Sequence, residues 1–208
     1  MKPSESAVHA GHHHRDDVGS KIGMWLFLFT ELILFGGMFL AYAVYRLQYP
    51  NEFKLAAIEL DALVGTVNTI ILLTSSLTVA LSITAIQEGK KHLAQVMLGM
   101  TQVLALAFLV NKYFEWSHKF EVGLFPQSDV LLSKPPGEII YFGLYYVMTG
   151  LHAVHVIIGM AILAVMMGFI ASGRIAKDNA VRLELGGLYW HLVDIIWIFL
   201  FPLFYLIH

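Results

Sequence analysis

Residues 22–45 read IGMWLFLFTELILFGGMFLAYAVY, and Glu31 is the one charged side chain in the run. The stretch exceeds the roughly 20 apolar residues that a helix needs to cross a bilayer. A helix is the conformation it can adopt there, because a lone strand cannot satisfy its backbone in hydrocarbon. Glu31 lies nine residues in from Ile22. That is roughly 14 Å along a helix, close to the centre of a hydrocarbon core about 30 Å thick. An ionisable group at that depth must face protein, a lipid headgroup cleft or water, and it marks function or interhelical polar contact.

Composition extends this reading to the whole chain. Hydrophobic residues make up 58% of the 208 residues and the mean hydropathy is +0.69, above the roughly 45–50% apolar share of soluble domains. There is no cysteine, so disulfides, thiolate catalysis and Cys-ligated metals are excluded. A net charge of −2 lacks the basic footprint of a nucleic-acid partner. The length fits one compact bundle without a second folded domain.

Five apolar segments are expected to span the membrane, at residues 22–45, 63–86, 93–114, 139–170 and 188–207. The fold class is therefore all-α, an integral membrane bundle of five transmembrane helices over residues 21–208. Residues 1–20 form a polar tail with His9, His12, His13 and His14. It is read as flexible and without function, against the competing reading that its histidines bind a metal. No signal peptide is expected ahead of the first helix. With the N-terminus in the cytoplasm, eight basic residues fall inside and five outside, the sign expected of cytoplasmic loops. The C-terminus is then outside. The longest connection, residues 117–137, is also outside and is expected to be ordered by packing on its neighbours.

The polar residues within the segments are few. Asn68, Ser75 and Ser82 recur every seven residues with Thr78 on the same stripe, which reads as close helix packing. Gly36 and Gly37 suggest close backbone contact in the first segment. Lys112 and Glu115 are i,i+3 neighbours able to pair, and with Trp116 they read as an interfacial anchor. Tyr145, Thr149, His152, His155 and Gly159 share one helical face. His152 and His155 are candidates for hydrogen bonds to neighbouring helices and for partners of Glu31, against haem, metal or proton-relay roles. His191 and Asp194, another i,i+3 pair, are placed in the first turns of the last segment, in the cytoplasmic half. They can accept protons, grip a neighbouring helix or hold an anionic lipid head.

Three stretches carry a family resemblance. Residues 189–197, YWHLVDIIW, resemble the signature YWHFVDVVW of subunit III of the haem–copper oxidases, the cytochrome c oxidase subunit III family. Residues 149–156, TGLHAVHV, are similar to that family's TGxHxxHV stretch. Thr30-Glu31, followed by an aromatic and glycine run, resembles its buried-glutamate helix. The resemblance covers about Lys21 to Ile207 and points to the short, five-helix bacterial form. At Lys112-Tyr113-Phe114-Glu115-Trp116 the chain departs from the Gln-x-x-Glu-Tyr of many members.

The resemblance implies a non-catalytic subunit of a respiratory terminal oxidase in the bacterial inner membrane. It carries no cofactor of its own, since the haems and copper belong to partner subunits. It packs beside subunits I and II, binds phospholipid, and supports assembly and proton uptake. The seven residues Glu31, Lys112, Glu115, His152, His155, His191 and Asp194 are the candidates for these roles. A quinol oxidase subunit or an accessory subunit of a nitric oxide reductase is the nearest alternative. A stand-alone transporter or channel is a different class, but no internal repeat or paired broken helices support it. A membrane cytochrome with its own haem is a third.

Overall fold

The computed structural model describes residues 5–177 and 179–207, with side chains described from Val18 onward. The histidines of the polar tail lie outside the described side chains. The chain runs α1 (Glu5–Gln48), α2 (Pro50–Ile58), α3 (Ala62–Gln87), α4 (Lys91–Glu121), α5 (Asp129–Leu132), α6 (Pro136–Ala171) and α7 (Val181–Tyr205). Five of these helices are long and apolar enough to cross a membrane, with α1 counted from Val18. The all-helical, five-span reading therefore holds.

Two helix ends differ from the expected bounds in a way that matters. α4 continues seven residues past Phe114 to Glu121, so Lys112 and Glu115 sit inside a helix rather than at its frayed end. α7 begins at Val181, seven residues before Leu188. His191 and Asp194 are therefore at the middle of α7, not in its first turns. Short α2 was not expected; Pro50 starts it, with its ring at a position where no N–H is needed.

α3, α4, α6 and α7 form a closed ring, each packed on two of the others, with side chains bridging the α4–α7 diagonal. Among the described residues, α1 packs on α2, α6 and α7 and touches neither α3 nor α4. Only 11% of its most apolar window is buried within the chain, against 56% for α7. α1 is thus a peripheral helix, and α7 is the core one. The α3 stripe does pack as its spacing implies. Thr78 meets Thr101 at 2.8 Å, Asn111 donates to Asn68 at 2.9 Å, and Trp190 donates to Ser75 at 3.1 Å. Each satisfies a polar group across a helix interface that lipid cannot satisfy.

The expected close contact at Gly36 and Gly37 is not made within this chain. A Cβ at either would meet nothing within 4 Å. Close approach falls instead at Gly159, where a Cβ would lie 2.8 Å from the Trp190 ring and 3.2 Å from that of Tyr189. Both rings are buried and cannot swing aside. Gly159→Ala is expected to cost about 1–3 kcal/mol by overpacking. Gly168→Ala, in open space on the same helix, should be neutral or stabilise by up to about 1 kcal/mol. Thermal melts of the two purified variants compare them directly.

The end of the bundle that carries α2 is closed by aromatic rings and caps. Phe53 of α2 packs edge-on against Tyr42 and Tyr141. The Tyr42 and Tyr141 hydroxyls donate to the carbonyls of Leu203 and Phe204, two of those that the end of α7 leaves unpaired. Glu52 accepts from the Gly137 N–H, so α2 supplies a carboxylate at the N-terminus of α6. At the other end, Gly89 (φ +82°) allows the tight α3–α4 turn. There the exposed Lys90 ammonium lies 2.6 Å from Glu88 and holds its carboxyl below the usual range.

Candidate functional site

Glu31 and His155 meet at mid-span. Glu31 is 13 residues from the Val18 end of the apolar part of α1, roughly 20 Å along the helix. Its Oε2 lies 2.8 Å from His155 Nε2, and both side chains are mostly buried. The other imidazole nitrogen, Nδ1, is 2.8 Å from the Leu151 carbonyl. A carbonyl only accepts, so Nδ1 must carry a hydrogen and donate. In a neutral ring Nε2 is then bare. A hydrogen bond to Glu31 requires one further proton between the two groups, either on the carboxyl or on the imidazole. The hydrogen-bonded pair shares one proton at zero net charge, the form in which an acid and a base can sit at the middle of a membrane. Phe35 packs edge-on against the His155 ring at 5.3 Å.

His152, expected as a second partner, does not join them. It is fully buried on the neighbouring flank of α6, between Phe108 and Trp197, with ring centroids at 5.6 and 5.2 Å. Neither ring nitrogen has a hydrogen-bond partner. The i,i+3 spacing turns the two histidines about 60° apart, which sends one toward α1 and the other into the four-helix ring.

Lys112 and Glu115 form the pair that their spacing suggests, at 3.2 Å. It is buried in the ring rather than placed as an interfacial anchor: both side chains are 5% exposed. Lys112 Nζ also donates to Tyr145 Oη at 3.0 Å and Tyr205 Oη at 2.9 Å. Both tyrosine hydroxyls in turn donate to Glu115 Oε1, Tyr205 at 2.5 Å. All three ammonium hydrogens and both carboxylate oxygens are thereby used. Sequence reasoning placed Tyr145 on the right face but missed Tyr205, which reads as an interface aromatic at the end of its helix.

His191 and Asp194 do not bond to each other. His191 Nδ1 is 2.6 Å from the Ser76 hydroxyl on α3. Asp194, 3% exposed, faces the same hydroxyl, and neither of its carboxylate oxygens has a hydrogen-bond partner. Three polar groups from two helices thus converge at the α3–α7 seam, at the middle of both helices.

Beside Glu115, between the start of α3 and the end of α4, lies an open cavity of about 530 Å³. Glu59, Asp61, His118 and Lys119 line it together with the apolar Leu63, Val67 and Phe114. Lys119 donates to the Glu59 carbonyl. Among the described residues, no group of three or more His, Asp or Glu side chains is placed to hold a metal ion.

The arrangement is that of a multi-pass membrane protein in which Glu31, Lys112, Glu115, His155 and His191 find polar partners on other helices, while His152 is left without one. The chain belongs to the cytochrome c oxidase subunit III family, whose model matches residues 3–208. It is 33% identical over 95% of its length to a cytochrome c oxidase subunit 3 of Synechocystis, covering 79% of that relative. It is 31% identical over 94% of its length to a cytochrome bo(3) ubiquinol oxidase subunit 3 of Pseudomonas aeruginosa, covering 89% of it. A heme-copper oxidase subunit I+III of Aeropyrum pernix is 32% identical over 88% of this chain, which spans 22% of that longer relative. Relatives thus include subunit III of both cytochrome c and quinol oxidases.

Proposed function

We propose that this chain is a non-catalytic subunit III of a terminal oxidase in a bacterial inner membrane, with its N-terminus in the cytoplasm and its C-terminus outside. It packs beside subunit I, which with subunit II carries the haems and copper. There it supports assembly, phospholipid binding and proton uptake by subunit I. The observation that carries the reading is the Glu31–His155 contact at 2.8 Å between two of the long apolar helices, in a chain of this family. Residues 21–208 act as one unit in this role. The cavity beside Glu115, lined by both charged and apolar side chains, suits a phospholipid headgroup with the start of its acyl chains.

Co-purification tests the assignment. The tagged subunit is expected to bring down partners whose visible spectrum shows haem. The subunit alone should show none, and a haem band in the isolated chain would end the reading. Topology has its own test, made clean by the absence of native cysteine. Single cysteines at Ser6 and Gln127 should be labelled by an impermeant maleimide from opposite sides of the membrane. Labelling of both from one side would contradict the orientation.

A further inference from the structure

α1 and α3 both pack against α7 but do not touch each other. The α7 residues between them are therefore the floor of an open groove. Ile195, Ile198 and Phe199 are exposed there, and His191 is partly exposed. On the α1 side, Gly36 lines an apolar cleft of about 210 Å³ with Ile195 and Phe199, and a Cβ at Gly36 would still meet nothing within 4 Å. On the α3 side stands the Ser76–His191 contact with the 3% exposed Asp194 facing the same hydroxyl.

The chemistry of this floor selects its occupant. His191 Nε2 makes no hydrogen bond within the described residues, whereas its Nδ1 is held by Ser76. The site is at mid-helix, where lipid offers only acyl chain and no hydrogen-bonding group. A polar lipid headgroup does not reach that depth. A transmembrane helix does, and it can present a hydroxyl, amide or basic side chain at the level of His191. An open glycine on one wall lets such a helix approach closely. We propose that the α1–α7–α3 groove receives a transmembrane helix of the partner subunit, which places a hydrogen-bonding side chain against His191. The inference rests on the reading of the chain as an oxidase subunit and adds to it the face that docks.

Photo-crosslinking in the assembled complex tests the face. A benzophenone amino acid replaces Ile198 on the groove floor or, as a control, the exposed Val103 of α4. A covalent adduct with a partner polypeptide is expected from position 198 and none from 103. A polypeptide adduct from 103 without one from 198 would overturn the docking face while leaving the subunit assignment intact. An adduct of position 198 with lipid alone would overturn the helix as occupant. If no partner co-purifies with wild-type chain, both the assignment and the docking face are wrong. A second measurement addresses the residue. His191→Leu should lower partner recovery in detergent about three- to ten-fold, the worth of one interhelical hydrogen bond. His191→Gln, whose amide keeps one donor and one acceptor to share between Ser76 and the partner, should restore it. Equal recovery for Leu and Gln would show that the groove does not use this side chain.

Discussion

Glu115→Leu is expected to be the most damaging single change within the four-helix ring. It removes the partner of a buried ammonium, and breaking one side of such a pair costs about 3–5 kcal/mol. It also strips the acceptor from the Tyr145 and Tyr205 hydroxyls, which both donate to Glu115, and each stranded buried donor adds about 1–3 kcal/mol. Lys112→Met should cost less. The carboxylate it leaves behind keeps both tyrosine donors, and the tyrosines keep their acceptor. The double variant Lys112→Met with Glu115→Leu strands no charge and should recover part of the loss, while the Tyr145 and Tyr205 hydroxyls still lack their acceptor. The expected order of melting temperature is wild type highest, then Lys112→Met and the double variant, then Glu115→Leu. Additive losses in the double variant would mean that the two side chains act independently, contrary to their 3.2 Å separation. Tyr205→Phe tests the tyrosine arm. It removes one acceptor from Lys112 and one donor from Glu115, and it should fall between wild type and Lys112→Met.

The five spans could be read from the chain because hydrocarbon thickness and apolar length are directly comparable quantities. What resisted was the set of boundaries where polar residues continue a helix. Lys112 to Lys119 reads as a segment leaving the membrane, yet α4 carries it on because Tyr145 and Tyr205 from two other helices satisfy its charges. Arg182 and Glu184 likewise read as loop, and α7 begins before them. The Glu31–His155 contact was within reach of sequence reasoning, since a mid-membrane carboxyl needs a partner and few candidates exist. The choice of His155 over His152 was not, because it depends on the rotation of α6 about its own axis. The Ser76–His191 contact was hidden for a similar reason. Ser75 fits the seven-residue stripe and Ser76 does not, so the residue that meets α7 from beside the stripe gave no periodic signal. Gly36 and Gly37 show the opposite limit. Small residues in a membrane helix signal close approach, but they do not say whether the approaching helix belongs to the same chain.

Glu31→Gln is expected to separate assembly from proton storage. The glutamine amide can donate to the bare Nε2 of His155, so the hydrogen bond and the shape persist while the extra proton is lost. The complex should therefore form in wild-type yield. Glu31→Leu leaves Nε2 without a partner in a mostly buried site, at a cost of about 1–3 kcal/mol, and α1 has few other contacts to hold it. Its yield should drop. If the pair supports proton uptake, both variants should lose turnover at alkaline pH, where protons are scarce, or inactivate sooner during turnover. Oxygen consumption followed against pH and time reads this. Infrared difference spectra offer a direct check on the stored proton: one carboxylic acid or imidazolium band should be present in wild type and absent in Glu31→Gln. His155→Leu completes the comparison. It strands the carboxyl at mid-membrane, so the complex should be poorer in this subunit than with Glu31→Gln. Equal yields for the Gln and Leu variants at position 31 would mean that Glu31 faces lipid or water rather than serving the α1–α6 contact. Wild-type turnover and lifetime in Glu31→Gln at every pH would leave the pair as a structural hydrogen bond between a peripheral helix and the core.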